Sequence, residues 1–313
     1  MRILVTGGAG FIGSHLAEAY AERGHQVLVV DNLSTGKREN VPARTQFVEA
    51  DLLDRERLAE IFTDFAPEVV NHHAAQTNLR LSWNEPVRDA RNNILASLYL
   101  LECCVCHRTG KIIYASSGGA IYGEPDSLPV TEDHPIRPIS NYGVSKYAGE
   151  LYLRTFSEGA QLPYVVLRYP NVYGPRQDPQ GEAGVVAIFT YQMLMGIQPR
   201  IYGDGSKTRD YVHIEDIVDA NVRALDVDNN AVVNLGCGRE ISDAEVFQAV
   251  QKAVGSNLSP VFEQKRLGEI NHICLDSSRA QKLFGWQPRI GFEDGVRRVV
   301  AYWKGHLAKQ RGG

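Results

Sequence analysis

Long apolar runs are missing from this sequence. None reaches the roughly 18 residues that a bilayer-spanning helix requires, so no membrane association is expected. An excess of basic charge is missing too: 33 Lys and Arg stand against 37 Asp and Glu, a net charge of -4, which leaves no electrostatic footprint for nucleic acid. Cysteine is scarce, five in all, and the odd number suits a reducing compartment better than a disulfide framework. Cys103, Cys104 and Cys106 do cluster, and a metal site is one reading. No second ligand group stands at matching spacing, however, so a buried helix face within Asn93 to Cys106 accounts for them better. Met1 to Thr6 reads as a strand that starts at once and leaves no room for a leader, so a cytoplasmic location is expected. What is present is 313 residues of globular composition, 43% hydrophobic and 22% charged, enough for a large core and two domains.

The first apolar strand, Ile3 to Thr6, runs directly into Gly7-Gly8-Ala9-Gly10-Phe11-Ile12-Gly13, and the apolar-periodic stretch Ser14 to Tyr20 follows. Glycines at this spacing permit a tight turn, let backbone approach a pyrophosphate and let the helix pack close to the strand. The helix N-terminus then offers unpaired N–H groups to the phosphates. A glycine-rich loop alone is weak, but here a strand and a helix flank it. Gly7, Gly10, Phe11, Ile12 and Gly13 are therefore candidate cofactor-binding residues. The second strand, Gln26 to Val30, ends in Asp31-Asn32, 18 residues past the last glycine. A carboxylate there hydrogen-bonds adenosine ribose hydroxyls and repels a 2′-phosphate, which favours NAD over NADP. Lys37 and Arg38 point the other way, but they come later, in a loop.

Strand-then-helix units repeat after that. Thr45 to Ala50 leads to Asp51-Leu52, which could hold the adenine edge and face, and then to a charged helix over about Asp54 to Asp64. Val69 to His73 leads to Ala74-Ala75, small enough for backbone to lie against a cofactor. A longer helix follows from about Val87 to His107, and Lys111 to Ala115 is the fifth strand. This alternation predicts an α/β fold: a Rossmann doubly wound parallel sheet, with ligands at the carboxyl ends of its strands, and a smaller C-terminal α/β substrate-binding domain. The expected division is residues 1–170, with returning segments from about 210–240, and residues 171–313.

The fifth strand ends in Ser116-Ser117-Gly118-Gly119-Ala120-Ile121-Tyr122-Gly123. After a Pro-rich loop comes Ser140-Asn141-Tyr142-Gly143-Val144-Ser145-Lys146. Four residues make about one helical turn, so Tyr142 and Lys146 project from one face. A fixed ammonium near a phenol favours the phenolate and lowers its pKa toward the working range of a general base. An amphipathic helix with Tyr buried and Lys in solvent gives the same spacing; the dinucleotide-type crevice upstream is what favours the catalytic reading. Hydroxyls of Ser116 and Ser117 would face the same crevice and could hold a substrate oxygen.

Together, the Gly7 to Gly13 loop, Asp31, Ser116 to Gly123 and the Tyr142–Lys146 pair resemble the extended short-chain dehydrogenase/reductases. Leu167 to Arg176 and Thr208 to His213 are similar to the nucleotide-sugar branch of that superfamily, most closely the UDP-glucose (UDP-galactose) 4-epimerases. The resemblance runs from Met1 to about Trp303. It implies a homodimeric isomerase that keeps NAD bound and interconverts UDP-glucose and UDP-galactose through a 4-keto sugar, with hydride passing to the nicotinamide and back. Tyr142 would take the proton of the sugar 4-hydroxyl, and Lys146 would lower the Tyr142 pKa and bind the nicotinamide ribose. Many relatives place the Ser or Thr that meets the 4-oxygen at the position of Gly118, so Ser117, with Ser116 behind it, is the substitute here. Dehydratases and decarboxylases of the superfamily carry acids where Gly119 and Ala120 stand, and epimerisation needs none.

From about Asn171 the alternation gives way to Gly, Pro and short segments, as in a lid. By resemblance Asn171 meets the substrate phosphates. Arg209 and Arg266 are the cations for the UDP diphosphate, although Arg209 could instead pair with Asp210. Asp204-Gly205 reads as a hairpin turn, His213 as a structural contact, and Ile273 as the residue whose bulk decides whether an N-acetyl group fits. UDP-N-acetylglucosamine, UDP-glucuronate and a non-catalytic NAD-binding scaffold remain as alternatives.

Overall fold

A computed structural model describes residues 1–180, 184–265 and 269–311. The chain begins β1 (Arg2–Thr6), α1 (Phe11–Glu22), β2 (Gln26–Asp31), β3 (Gln46–Glu49), α2 (Arg55–Phe65) and β4 (Val69–His72). Two short helices follow, α3 (Leu79–Asn84) and α4 (Pro86–Ala90), and a π-helical turn at Arg91–Leu95 leads into α5 (Ala96–Cys106). Then come β5 (Lys111–Ser117), the single turn α6 (Gly118–Ile121), the long α7 (Asn141–Ala160) and β6 (Tyr164–Tyr169).

Seven strands form one parallel sheet in the order β11-β6-β5-β4-β1-β2-β3, where β11 is Ala231–Asn234. The crossovers are helical except from β2 to β3, where a loop with one 3-10 turn at Arg38–Asn40 makes the connection, and both faces are covered, so the strands read as near-continuous apolar runs. Successive side chains go to opposite faces: Ile3 and Val5 join a core with α1 and the later helix α9, while Leu4 joins a second core with α2, α5 and α7. The strand order reverses between β1 and β4, which places a crevice outside their carboxyl ends, where Thr6 pairs with His72. Of the clustered cysteines, Cys104 is buried in the second core, Cys103 is half-buried and Cys106 is exposed.

The second half is built from β7 (Asn171–Tyr173), α8 (Val185–Leu194), β8 (Arg200–Tyr202), β9 (Thr208–Arg209), β10 (Tyr211–His213), α9 (Ile214–Ala224), β11, β12 (Ile241–Ser242), α10 (Asp243–Val254), β13 (Val261–Glu263), α11 (Ser278–Phe284) and α12 (Phe292–Arg311). Its own core joins α8, α10 and α12 through Phe189, Val246, Val299 and Trp303. Within the segment around 210–240, α9 packs into the β1 core and β11 extends the main sheet. His213 caps α9 by accepting the Glu215 N–H, and burial pushes its imidazole down to about 4, so it is a neutral structural group. The expected hairpin at Asp204-Gly205 does not form. β8 pairs in parallel with β13 and β9 pairs antiparallel with β12, so each finds another edge, while Asp204 accepts the Ser206 N–H and hydroxyl in a local turn.

Candidate active site

The glycine loop leaves β1 with Gly7 in the left-handed region, at φ 67°. A Cβ on Gly7 would stand 2.7 Å from the Ala74 backbone nitrogen, so only glycine lets the loop lie against the segment after β4. Gly10 is the N-cap of α1, whose first N–H groups no side chain caps. A Cβ on Gly10 would meet only the Gly7 carbonyl oxygen, at 3.1 Å, with open space beyond. That combination is a cradle for an anion at a helix N-terminus. Asp31 closes its far side. It is buried at the end of β2 and accepts the Ala9 N–H at 3.0 Å and the Leu33 N–H at 2.8 Å. Asn32 donates to Asp51 at 3.0 Å and so ties the ends of β2 and β3 together. Leu52 is buried in the second core rather than open to a ring, while Ala74 and Ala75 are half-buried beside the loop.

At the end of β5 the alternation of the strand separates the two serines. Ser116 is buried and donates to Glu150, which grips Arg168 at 2.6 Å, so its hydroxyl is committed to a buried ion pair and does not reach the crevice. This corrects the expectation that both serines face substrate. Ser117 is half-buried, and its hydroxyl faces the Tyr142 phenol closely enough to favour the phenolate. The Ser140 hydroxyl accepts the Gly143 N–H and caps α7, which starts the helix just before Tyr142 and so fixes where that phenol stands.

Tyr142 and Lys146 sit one turn apart as expected, but their electrostatics differ from expectation. Burial pushes the phenol up to about 12, the Ser117 hydrogen bond pulls the other way, and the nearby Asp89 charge adds to the rise. Lys146 is buried with its ammonium 4.4 Å over the Tyr114 ring, between Glu150 and Asp89, and desolvation pushes it down to about 8. Asp89, Asn93, Ser145, Glu150 and Arg168 escaped the reading of the sequence. Two signals were available: Glu150 lies one helical turn past Lys146, and Arg168 is a lone cation in an apolar strand, which implies a buried partner.

The model of the NAD dependent epimerase/dehydratase family matches residues 3–236. The chain belongs to that family. A UDP-glucose 4-epimerase of Mycolicibacterium smegmatis is 41% identical over 310 residues, 97% of this chain and 99% of the relative. The crystal structure of the UDP-glucose 4-epimerase of Thermotoga maritima with UDP-glucose superposes with a TM-score of 0.97 at 45% identity, covering 98% of this chain and 100% of that one. The UDP-glucose 4-epimerase of Thermus thermophilus in complex with NAD gives 0.93 at 43% identity, over 97% and 99% of the two chains.

In this member of the epimerase/dehydratase family the absence of a hydroxyl at position 118 has a packing cause. A Cβ on Gly118 would stand 2.4 Å from the fully buried Leu275 side chain. On the lid side, Asn171 places its amide oxygen 3.6 Å from the position of a Cβ on Gly119, so it faces the turn that follows Ser117. Arg209 does not pair with Asp210. Its guanidinium donates to the Thr208 carbonyl at 2.7 Å, whereas Asp210 is buried and accepts the N–H groups of Cys237, Gly238 and Leu275. Arg266 lies outside the described residues. Ile273 is 1% exposed and packs with Ile121, Tyr122 and Leu275 beneath the α6 turn, so its bulk supports that turn rather than forming an open wall.

Proposed function

We infer that the chain is an NAD-dependent nucleotide-sugar 4-epimerase that interconverts UDP-glucose and UDP-galactose. The observation that carries this reading is the half-buried Tyr142, its phenol facing Ser117 at the carboxyl end of β5, one turn before the buried Lys146. The residues present fit the cofactor: the Gly10 position is one that a side chain would fill, the α1 N-terminus is uncapped, and Asp31 stands where ribose hydroxyls need an acceptor. Gly7, Gly10, Phe11, Ile12, Gly13, Asp31, Asn32, Asp51, Ala74 and Ala75 would hold it. When bound, NAD supplies a reversible hydride acceptor.

The chain supplies the proton chemistry. Ser117 stands beside the Tyr142 phenol, so a proton leaving the sugar 4-oxygen would pass to Tyr142 directly or through the serine hydroxyl. Tyr142 can take it only as the phenolate, a minor form at neutral pH with the phenol pushed up to about 12; once the proton is taken, the same high value keeps it on the phenol until the 4-ketone is reduced again. Lys146, with a value near 8, stays largely cationic there and fixes the charge of the site. Asn171 and Arg209 are proposed to bind the UDP diphosphate, and the second half, residues 171–313, to close over it.

The test is purified protein with UDP-galactose and no added NAD. Both directions of interconversion are expected, and failure with NAD supplied would overturn UDP-glucose as substrate. Gly10→Glu probes the cofactor separately. An added carboxylate at the uncapped helix N-terminus should weaken NAD retention at least about tenfold, read as NAD released per chain after denaturation. Retention equal to that of the parent would remove the cradle.

A homodimer is proposed from α7, whose outer face exposes Val144, Leu151 and Tyr152 at helical spacing, near the exposed Trp83 and Val87. Light scattering at micromolar concentration should give twice the chain mass; a monomer there would reject it.

A further inference from the structure

One buried carboxylate next to the catalytic pair has no part in the chemistry above. Asp89, at the end of α4, is 1% exposed. Its Oδ1 accepts Gln76 Nε2 at 2.8 Å and Asn93 Nδ2 at 3.2 Å. Both partners are donors, which is the environment of an ionised carboxylate rather than of a carboxylic acid. The network continues to both sides of the crevice. Asn93, on the π-helical turn, accepts the Gln76 N–H at 2.7 Å and donates to Ser145 at 3.1 Å, and Ser145 donates to the Tyr142 carbonyl at 3.0 Å. Gln76 directly follows Ala74 and Ala75 on the cofactor wall.

The other charged and titratable groups facing Tyr142 and Lys146 come from every neighbouring element. Glu150 faces from the same helix, Tyr114 from β5, and His72 and His73 from the end of β4. The two histidines are held neutral by burial. The Glu150 charge is matched by Arg168, which reaches it through Nε at 3.0 Å and Nη2 at 2.6 Å. Asp89 is bonded only by neutral donors among the described residues, so its negative charge is the one left to act on the pair.

We propose that Asp89 is a positioning residue that balances the Lys146 charge and, through Ser145, holds the first turn of α7 against the cofactor wall. The proposal rests on the epimerase reading and adds to it a residue that touches neither substrate nor cofactor. Without the Asp89 charge, both phenol and ammonium lose their protons more readily. The sign is the same for the two groups, so both limbs of the pH profile move to lower pH.

The experiment is the pH dependence of kcat/KM for UDP-galactose, with NAD content measured in each preparation. In Asp89→Asn the whole profile should shift to lower pH by roughly one unit, with KM at the new optimum within about twofold of the parent. Asp89→Ser, which also removes the charge, should shift the same way and serves if the Asn variant does not fold. A Ser145→Ala variant, which leaves the charge in place, should lower kcat without moving the profile. If the charge-removing variants epimerise with profiles superimposed on the parent, Asp89 is only a packing group and the proposal fails. If the parent itself does not epimerise, it is the reading of the function that fails.

Discussion

Tyr142→Phe is expected to lower kcat for UDP-galactose to UDP-glucose conversion about a thousandfold, within the range that one general acid–base group contributes. KM and retained NAD should stay close to the parent values. The variant keeps the ring and removes only the oxygen that Ser117 faces. The proposed binding elements lie elsewhere, on the glycine loop and in the second half. The loss should also be insensitive to pH between about 6 and 7, because no charged neighbour there can replace the phenol: His72 and His73 are held neutral by burial, and Lys146 has no acceptor lone pair until it deprotonates near 8. Turnover of Tyr142→Phe within a few fold of the parent would remove Tyr142 from the proton path and leave Ser117 as the group to examine.

Arg168→Ala should be the most destabilising single change in the first half. The Arg168–Glu150 pair is almost fully enclosed, and Arg168 also donates to the Tyr122 phenol at 2.8 Å, which in turn donates to Asn234 at 2.7 Å. Removing the cation leaves Glu150 as a buried unpaired charge, a situation that costs about 3–5 kcal/mol, or a fall in Tm of roughly 5–10 °C for a chain of this size. Replacing both partners, as in Arg168→Met with Glu150→Gln, should recover most of that loss, since a neutral pair of similar volume avoids the desolvation penalty. Calorimetry on the single and double variants checks it. Equal Tm values for Arg168→Ala and the parent would mean that water enters and solvates Glu150.

Much of the fold was legible because its signals are local. Strands covered on both faces read as apolar runs, and the Gly7 to Gly13 spacing between a strand and a helix is a continuous motif. The Tyr142–Lys146 spacing was readable for the same reason. What escaped depends on partners distant in sequence. That Ser117 and not Ser116 meets Tyr142 follows from the phase of β5 and from Glu150 taking the other hydroxyl, 34 residues away. The Tyr142 pKa follows from burial and from Asp89, on another helix, and a one-turn spacing says nothing of either. The hairpin at Asp204 failed because pairing is decided by the available strand edges, β13 and β12, rather than by the turn. Ile273 was placed on a wall by resemblance, yet it lies beneath the α6 turn because Leu275 and Ile121 form a closed cluster around it.

Leu275 reaches the turn at Gly118 with its side chain, donates its N–H to Asp210 at 3.0 Å, and forms a bridge with Val130. Seen as a question of ancestry, this makes positions 118 and 275 a coupled pair. A lineage that gains a hydroxyl at 118 must also move or shorten the Leu275 side chain, since a Cβ at 118 and Leu275 Cδ1 claim the same space. A smaller residue at 275 that came first would leave a cavity beneath the α6 turn, and a serine that came first would have to turn the buried leucine aside.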